Sequence, residues 1–179
     1  MEEIILVDEA DRPVGFLEKI TAHRDGGKLH RAFSIFIMNS AGELLLQRRA
    51  NGCYHFAGFW TNSCCGHPRR GESVDEAAHR RLAEELGFDV PLREVFSFVY
   101  TAHDANSGLT EREYDHVLFG VSDGQPRPCA DWVTEVKWAR TADISLDLSR
   151  SPGDYTPWFH IAYPRFLEFL PPTALNAMS

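Results

Sequence analysis

The sequence predicts an α/β (α+β) fold in which helices pack on a mixed sheet, with residues 1–179 forming one domain. Three observations carry that expectation. The chain has 179 residues, 44% of them apolar, which suits a substantial core and rules out disorder as the default. Short runs rich in strand formers alternate with polar turns in both halves of the chain. Between them, the stretch from Ser73 to Gly87 carries a helical repeat with its own start and stop signals. No internal repeat, low-complexity run or linker divides the chain.

Taken in order, Glu3 to Asp8 and Pro13 to Glu18 read as strands around the polar turn Glu9-Ala10-Asp11-Arg12, an edge hairpin. Lys19 to Leu29 reads as a loop, because Gly26-Gly27 favours irregular backbone, and His23 and His30 bracket it. His30 to Asn39 and Glu43 to Arg49 are dense in strand formers and, joined by Ser40-Ala41-Gly42, read as a central hairpin. The run WTNSCCG, Trp60 to Gly66, reads as one strand, which places Cys64 and Cys65 on opposite faces and Cys65 on the same face as His67. After a loop with Pro68 and Gly71, Ser73 caps a helix, Glu76 completes a capping box, and Gly87 ends it. Val74, Ala78, Leu82 and Leu86 form its apolar stripe. Glu85 falls inside that stripe, where a carboxylate is costly unless paired, whereas Glu84 projects off it beside Arg80. Leu92 to Thr101 and Thr110 to Val121 read as strands, Trp132 to Ala139 as the last strand, and Asp143 to Leu148 as a short helix. A final helix begins near Thr156 and is expected to be kinked or divided at Pro164.

The net charge of −8 argues against a nucleic-acid footprint, so an anionic small molecule would be met through metal ions and local arginines. No run of about 18 apolar residues occurs, and the N-terminal MEEIILVDEADRP lacks the basic start of a signal peptide; a cytoplasmic protein without a membrane partner is expected. Cys53, Cys64, Cys65 and Cys129 lack the spacing of a disulfide scaffold and are expected as reduced thiols. The remaining candidates each admit two readings. Arg48 and Arg49 fit a solvated strand end or a fork of donors for phosphate. His23 and His30 can converge across their loop, although a lone histidine is more often a packed or surface residue than a ligand. Glu111 and Glu113 share a strand face and either stay in water or address one point together with His23, His30 and His67.

The spacing from Gly66 onward is similar to the Nudix box: five residues to Glu72, seven more to Arg80, then Arg81, Leu82, Ala83, Glu84, Glu85, Leu86, Gly87 and Phe88. One position departs, Arg81, where the box has the Glu that hydrolases of that family use among their metal ligands. The run Asn62-Ser63-Cys64-Cys65-Gly66-His67-Pro68 resembles the catalytic-cysteine motif of type 1 isopentenyl-diphosphate isomerases, which also carry Arg after the first Arg of the box. The resemblance extends from Leu17-Glu18-Lys19 through Pro157-Trp158. It implies a Nudix-like mixed sheet with flanking helices, and an enzyme of isoprenoid biosynthesis that interconverts isopentenyl diphosphate and dimethylallyl diphosphate.

The same resemblance implies roles for individual residues. Cys65 and Glu113 handle the protons. His23, His30, His67, Glu111 and Glu113 hold one divalent ion, and their mixed nitrogen and oxygen donors suit Mn²⁺, Zn²⁺, Fe²⁺ or Mg²⁺. Glu85 helps hold a Mg²⁺ bound mainly by water and diphosphate oxygens, with Lys19, Arg49 and Arg81 as the diphosphate clamp. Tyr100 and Trp158 wall the substrate pocket, where their π faces can steady a carbocation. The expected partner is a small allylic or homoallylic diphosphate. Isomerases carry a lysine after the strand-ending arginines where this chain has Cys53, so one diphosphate contact is expected to be missing. The alternatives are a Nudix hydrolase of a diphosphate-containing metabolite and a non-catalytic, zinc-stabilised binding module.

Overall fold

The computed structural model describes residues 2–170. Its elements run β1 (Glu3–Val7), β2 (Pro13–Glu18), α1 (Lys19–Ala22), β3 (His30–Met38), β4 (Glu43–Arg49), β5 (Trp60–Thr61), β6 (Cys64–Gly66), α2 (Val74–Leu86), β7 (Arg93–Asp104), β8 (Leu109–Val121), β9 (Val133–Arg140), α3 (Thr141–Arg150) and α4 (Pro157–Phe169). All the strands belong to one mixed sheet centred on β3. One edge of β3 is paired in parallel with β8 along its full length, from His30 opposite Glu113 to Met38 opposite Val121. The other edge is shared by three antiparallel partners in turn: β1 at His30, β6 from Phe33 to Ile35, and β4 at Met38.

This sharing corrects the expected central hairpin. β3 and β4 pair only at Met38 and Leu44, next to their turn; β4 is otherwise paired with β9, from Glu43 opposite Arg140 to Arg49 opposite Val133, and with β5 at Gln47 and Arg48. The strands diverge because β6 takes the edge that a longer hairpin would have used. The expected strand from Trp60 to Gly66 is likewise broken, into β5 and β6. Asn62 and Ser63 replace ladder bonds with side-chain bonds: Asn62 Nδ2 donates to the carbonyls of Ile35 and Cys64, and Ser63 Oγ donates to Leu45 O while accepting from Ile37 N.

Alternation along β3 and β4 sorts the core into two layers. Ile35, Ile37 and Leu45 meet Ala78, Leu82 and Leu86 of α2 on one face. Phe36, Met38, Leu44 and Leu46 meet Phe159, Tyr163 and Phe166 of α4 on the other. Because helices cover both faces, these strands read as continuous apolar runs rather than as alternating ones. The Phe166 ring stacks on Phe36 at 4.5 Å and 7°.

The local signals act as expected at α2. Ser73 Oγ accepts from Glu76 N at 3.2 Å, Glu76 Oε2 accepts from Ser73 N at 2.9 Å, and Gly87 ends the helix at φ 67°. Two expectations need correction. The segment after Lys19 is not wholly irregular, since Glu18 accepts from the amides of Ile20 and Thr21 and caps the single turn of α1. Pro164 does not divide α4, which is continuous; the residue lies on the exposed face, where a carbonyl left without its donor can be solvated. Among the described residues no helix is long and apolar enough to cross a membrane.

Candidate metal centre and active site

Four separate pieces of chain deliver five ligand-type side chains to one point. His23 follows α1, His30 opens β3, His67 leaves β6, and Glu111 and Glu113 share one face of β8. The loop between the first two histidines is fastened to β8, since Thr110 N donates to His23 O at 2.8 Å. Gly27, at φ 73°, lies so close to Thr110 that a Cβ there would come within 2.7 Å of its carbonyl oxygen. Only glycine allows this approach. One potential ligand atom from each of the five residues lies within 4.8 Å of all the others, and all five residues are buried.

The residues fit a divalent ion. Nδ1 of His23 lies 2.6 Å from Lys19 O and Nδ1 of His30 lies 2.7 Å from Lys28 O. Each Nδ1 therefore carries the proton it donates, and each Nε2 turns a lone pair inward. His23 Nε2, His30 Nε2, His67 Nδ1 and Glu111 Oε2 are all buried without a hydrogen-bond partner, although Glu111 Oε2 lies 2.8 Å from His23 Nε2 and 3.7 Å from His30 Nε2. Buried polar atoms left unpaired at one point are costly unless something else, such as a cation, binds them. Burial and the neighbouring His30 push the His67 imidazole well down, which keeps it in the neutral form that a metal requires.

The two carboxylates differ electrically. Burial would raise Glu111, but contacts with His55 and His23 outweigh it and hold the group well below the usual carboxylate range. Glu113 is pushed up to about 7 by burial and by the charge of Glu111. It accepts from Tyr100 Oη at 2.5 Å and lies 2.8 Å from His67 Nε2. Two residues further along β8, Asp115 is also buried and accepts from Ser34 Oγ at 2.8 Å; burial and Glu113 push it well up.

Beside this cluster lies a cavity of about 40 Å³, room for no more than a few water molecules, lined among others by Cys65, Glu113, Tyr100, Trp158, Arg49 and Lys19. Cys65 Sγ faces Arg49 Nη1 at 3.7 Å, and burial pushes the thiol up despite that cation. Cys64 points the other way, into the α2 layer, with Sγ 3.4 Å from Glu85 Oε2. Trp158 is held by its Nε1, which donates to Asn62 Oδ1 at 3.1 Å. Glu85, the carboxylate inside the helix stripe, is paired with Arg81 of the same helix and accepts from Gln47 Nε2 at 3.0 Å. Arg81 also lies 4.5 Å above Trp132, and Lys19 lies 4.7 Å above Tyr54 and 3.6 Å from Glu2.

All but one of the site residues singled out in the sequence lie at this place, His23 and His30 in the five-residue cluster and the others along the wall of the cavity; Arg48 instead is exposed at the strand end, where its Nε donates to Gly58 O at 2.9 Å. Sequence reasoning missed His55, Asn62, Asp115 and Gln47. Asp115 is available from the same alternation that joins Glu111 to Glu113. His55, in the irregular segment between β4 and β5, has no periodic signal.

Residues 28–159 match the NUDIX domain, which sets the class. The chain is 51% identical over 160 residues to an isopentenyl-diphosphate Delta-isomerase of Halorhodospira halophila, covering 89% of this chain and 91% of that one. It is also 51% identical over 160 residues to isopentenyl-diphosphate Delta-isomerase 2 of Photorhabdus laumondii, covering 89% of each. A crystal structure from Deinococcus radiodurans is similar in fold alone, with a TM-score of 0.68 and 22% identity over 83% of this chain and 90% of that one. The chain therefore belongs to the NUDIX family and, within it, to the isopentenyl-diphosphate Delta-isomerases.

Proposed function

We propose that the protein interconverts isopentenyl diphosphate and dimethylallyl diphosphate, as an enzyme of isoprenoid biosynthesis working in the cytoplasm on a small diphosphate, without a nucleic-acid or membrane partner. The observation that carries this reading is that Cys65 and Glu113 line one cavity together with the aromatic faces of Trp158 and Tyr100. The isomerisation adds a proton to the terminal carbon of an unactivated alkene and removes one from C2. It passes through a tertiary cation, so it needs two proton-carrying groups, exclusion of water and electron-rich walls.

Cys65 is kept as a thiol by burial, as a proton donor must be, and Arg49 beside it can balance the thiolate left after transfer. Glu113, with Tyr100 Oη orienting one of its oxygens, is the second proton-carrying group. Trp158, fixed by Asn62, and Tyr100 present π faces to the cation. His23, His30, His67, Glu111 and Glu113 would hold a divalent ion, Mn²⁺, Zn²⁺, Fe²⁺ or Mg²⁺. When bound, that ion supplies positive charge that orients Glu113 and tunes its proton affinity. Glu85 would hold Mg²⁺ accompanying the diphosphate, which Lys19, Arg49 and Arg81 meet with charge-assisted hydrogen bonds.

The test is to incubate the protein with Mg²⁺ and isopentenyl diphosphate in D₂O and to follow proton and phosphorus NMR together. Dimethylallyl signals with deuterium uptake and intact diphosphate are expected. Cleaved diphosphate would instead make the chain a hydrolase, and unchanged substrate would leave it neither.

A further inference from the structure

Outside the five-residue cluster, a further imidazole reaches the Glu111 carboxylate that His23 and His30 also face. His55 is only 5% exposed, and its Nε2 pairs with Glu111 Oε1, while the other oxygen, Oε2, faces His23 and His30. Nδ1 of the same ring lies 3.5 Å from Arg49 Nη2. A guanidinium offers only hydrogens, so Nδ1 must be the acceptor and the ring proton lies on Nε2, directed at Glu111. The ring is flanked on its other sides: it lies 4.0 Å from Tyr54, tilted by 31°, and 6.1 Å from Trp158. Its backbone is held too. His55 O accepts from Arg49 Nη2 at 3.2 Å, and the next residue, Phe56, donates its N–H to Asp104 Oδ2 at 3.0 Å.

We propose that His55 is a positioning residue of the metal centre: its Nε2–H grips Glu111 Oε1, so that Oε2 is presented to the ion together with His23 and His30. The same residue holds Arg49 through its carbonyl and so sets the spacing between the metal carboxylate and a cation of the diphosphate clamp. This rests on the reading of the His and Glu cluster as a metal centre. A side chain that merely fills space would contribute to stability with or without metal, whereas one that orients Glu111 acts on metal affinity.

The experiment measures Mn²⁺ binding by equilibrium dialysis for wild type, His55→Ala, His55→Asn and His55→Gln, after folding has been checked by circular dichroism. The Gln side chain places an N–H close to where Nε2 lies, whereas Asn is too short to reach Glu111. Expected are Mn²⁺ affinities lowered about 10- to 100-fold in His55→Ala and His55→Asn, and close to wild type in His55→Gln. Metal-free melting temperatures of the Asn and Gln variants should agree. If His55→Ala does not fold, the comparison of Asn with Gln decides. Wild-type affinity in His55→Asn, or a Gln variant as weak as Asn, overturns the assignment. A wild-type protein that binds no Mn²⁺ overturns it together with the metal reading.

Discussion

Adjacent thiols face different chemistry here because a strand sends successive side chains to opposite sides. Cys64 belongs to the α2 layer, and Cys65 reaches the cavity beside Arg49. Cys65→Ala is expected to abolish isomerisation while leaving the melting temperature nearly unchanged. Cys64→Ala should keep most of the turnover and lose about 1 kcal/mol of stability to a small cavity. The reverse pattern of activity, measured by the NMR assay, would remove Cys65 from the chemistry. Cys53 allows a second substitution. It is half-buried, lines the same cavity and points its sulfur at Trp132 O, 3.7 Å away. One charge-assisted hydrogen bond contributes about 1.5–3 kcal/mol, so Cys53→Lys should lower KM for isopentenyl diphosphate roughly ten- to a hundredfold with little change in kcat. An unchanged KM would mean that Lys19, Arg49 and Arg81 already satisfy the diphosphate.

The elements carry their own consequences. The loop between His23 and His30 can lie against β8 only because Gly27 has no side chain. In Gly27→Ala the added methyl meets both a left-handed backbone and the Thr110 carbonyl, so the loop should lift and Mn²⁺ affinity should fall about tenfold or more in dialysis. At the start of α2, the Arg80 guanidinium beside Glu72, at 2.6 Å, holds that carboxyl below its ordinary value of 4.5. A depressed value in the folded state means that this stabilisation is complete above pH 4.5 and is lost as pH falls through the folded value. Glu72→Gln should therefore cost about 1 kcal/mol at neutral pH and much less in strong acid, as read from urea midpoints at the two pH values. α2 is legible in the sequence because its capping box, apolar stripe and terminal glycine are all local. The break between β5 and β6 is not. Asn62 and Ser63 bond to Ile35, Ile37 and Leu45, so strand propensity within the segment carries no trace of it.

Across the whole molecule, the candidate metal set draws on the α1 loop, β3, the residue after β6, and β8, none of which supplies more than two of its five residues. An ion bound this way recognises only the folded chain and stabilises it by mass action, about 2.7 kcal/mol at a hundred times its dissociation constant. Chelator-treated protein should melt at a lower temperature, Mn²⁺ should restore it, and His23→Ala should abolish the restoration. Equal melting curves with and without metal would place the ion elsewhere. At this scale the residues that converge are legible in the sequence, but the way the sheet brings them together is not. Pairing of β3 with β8 and of β4 with β9 is non-local, and alternation along a strand shows its faces but not its neighbours. His55 escapes for a related reason, since its partner Glu111 lies across the fold and its own segment has no repeat.

Since β3 pairs along its length with β8, His30 can meet Glu113 only after the ribosome has made everything between them, including α2 and β7. Until then the emerging chain carries the three imidazoles of the set but neither of its carboxylates. The arrival of β8 occupies the open edge of the central strand and brings two hard oxygen donors to the same point. The five-residue set is therefore complete only once β8 has paired with β3, so whatever ion it would hold meets its oxygen donors at a late step in building the sheet.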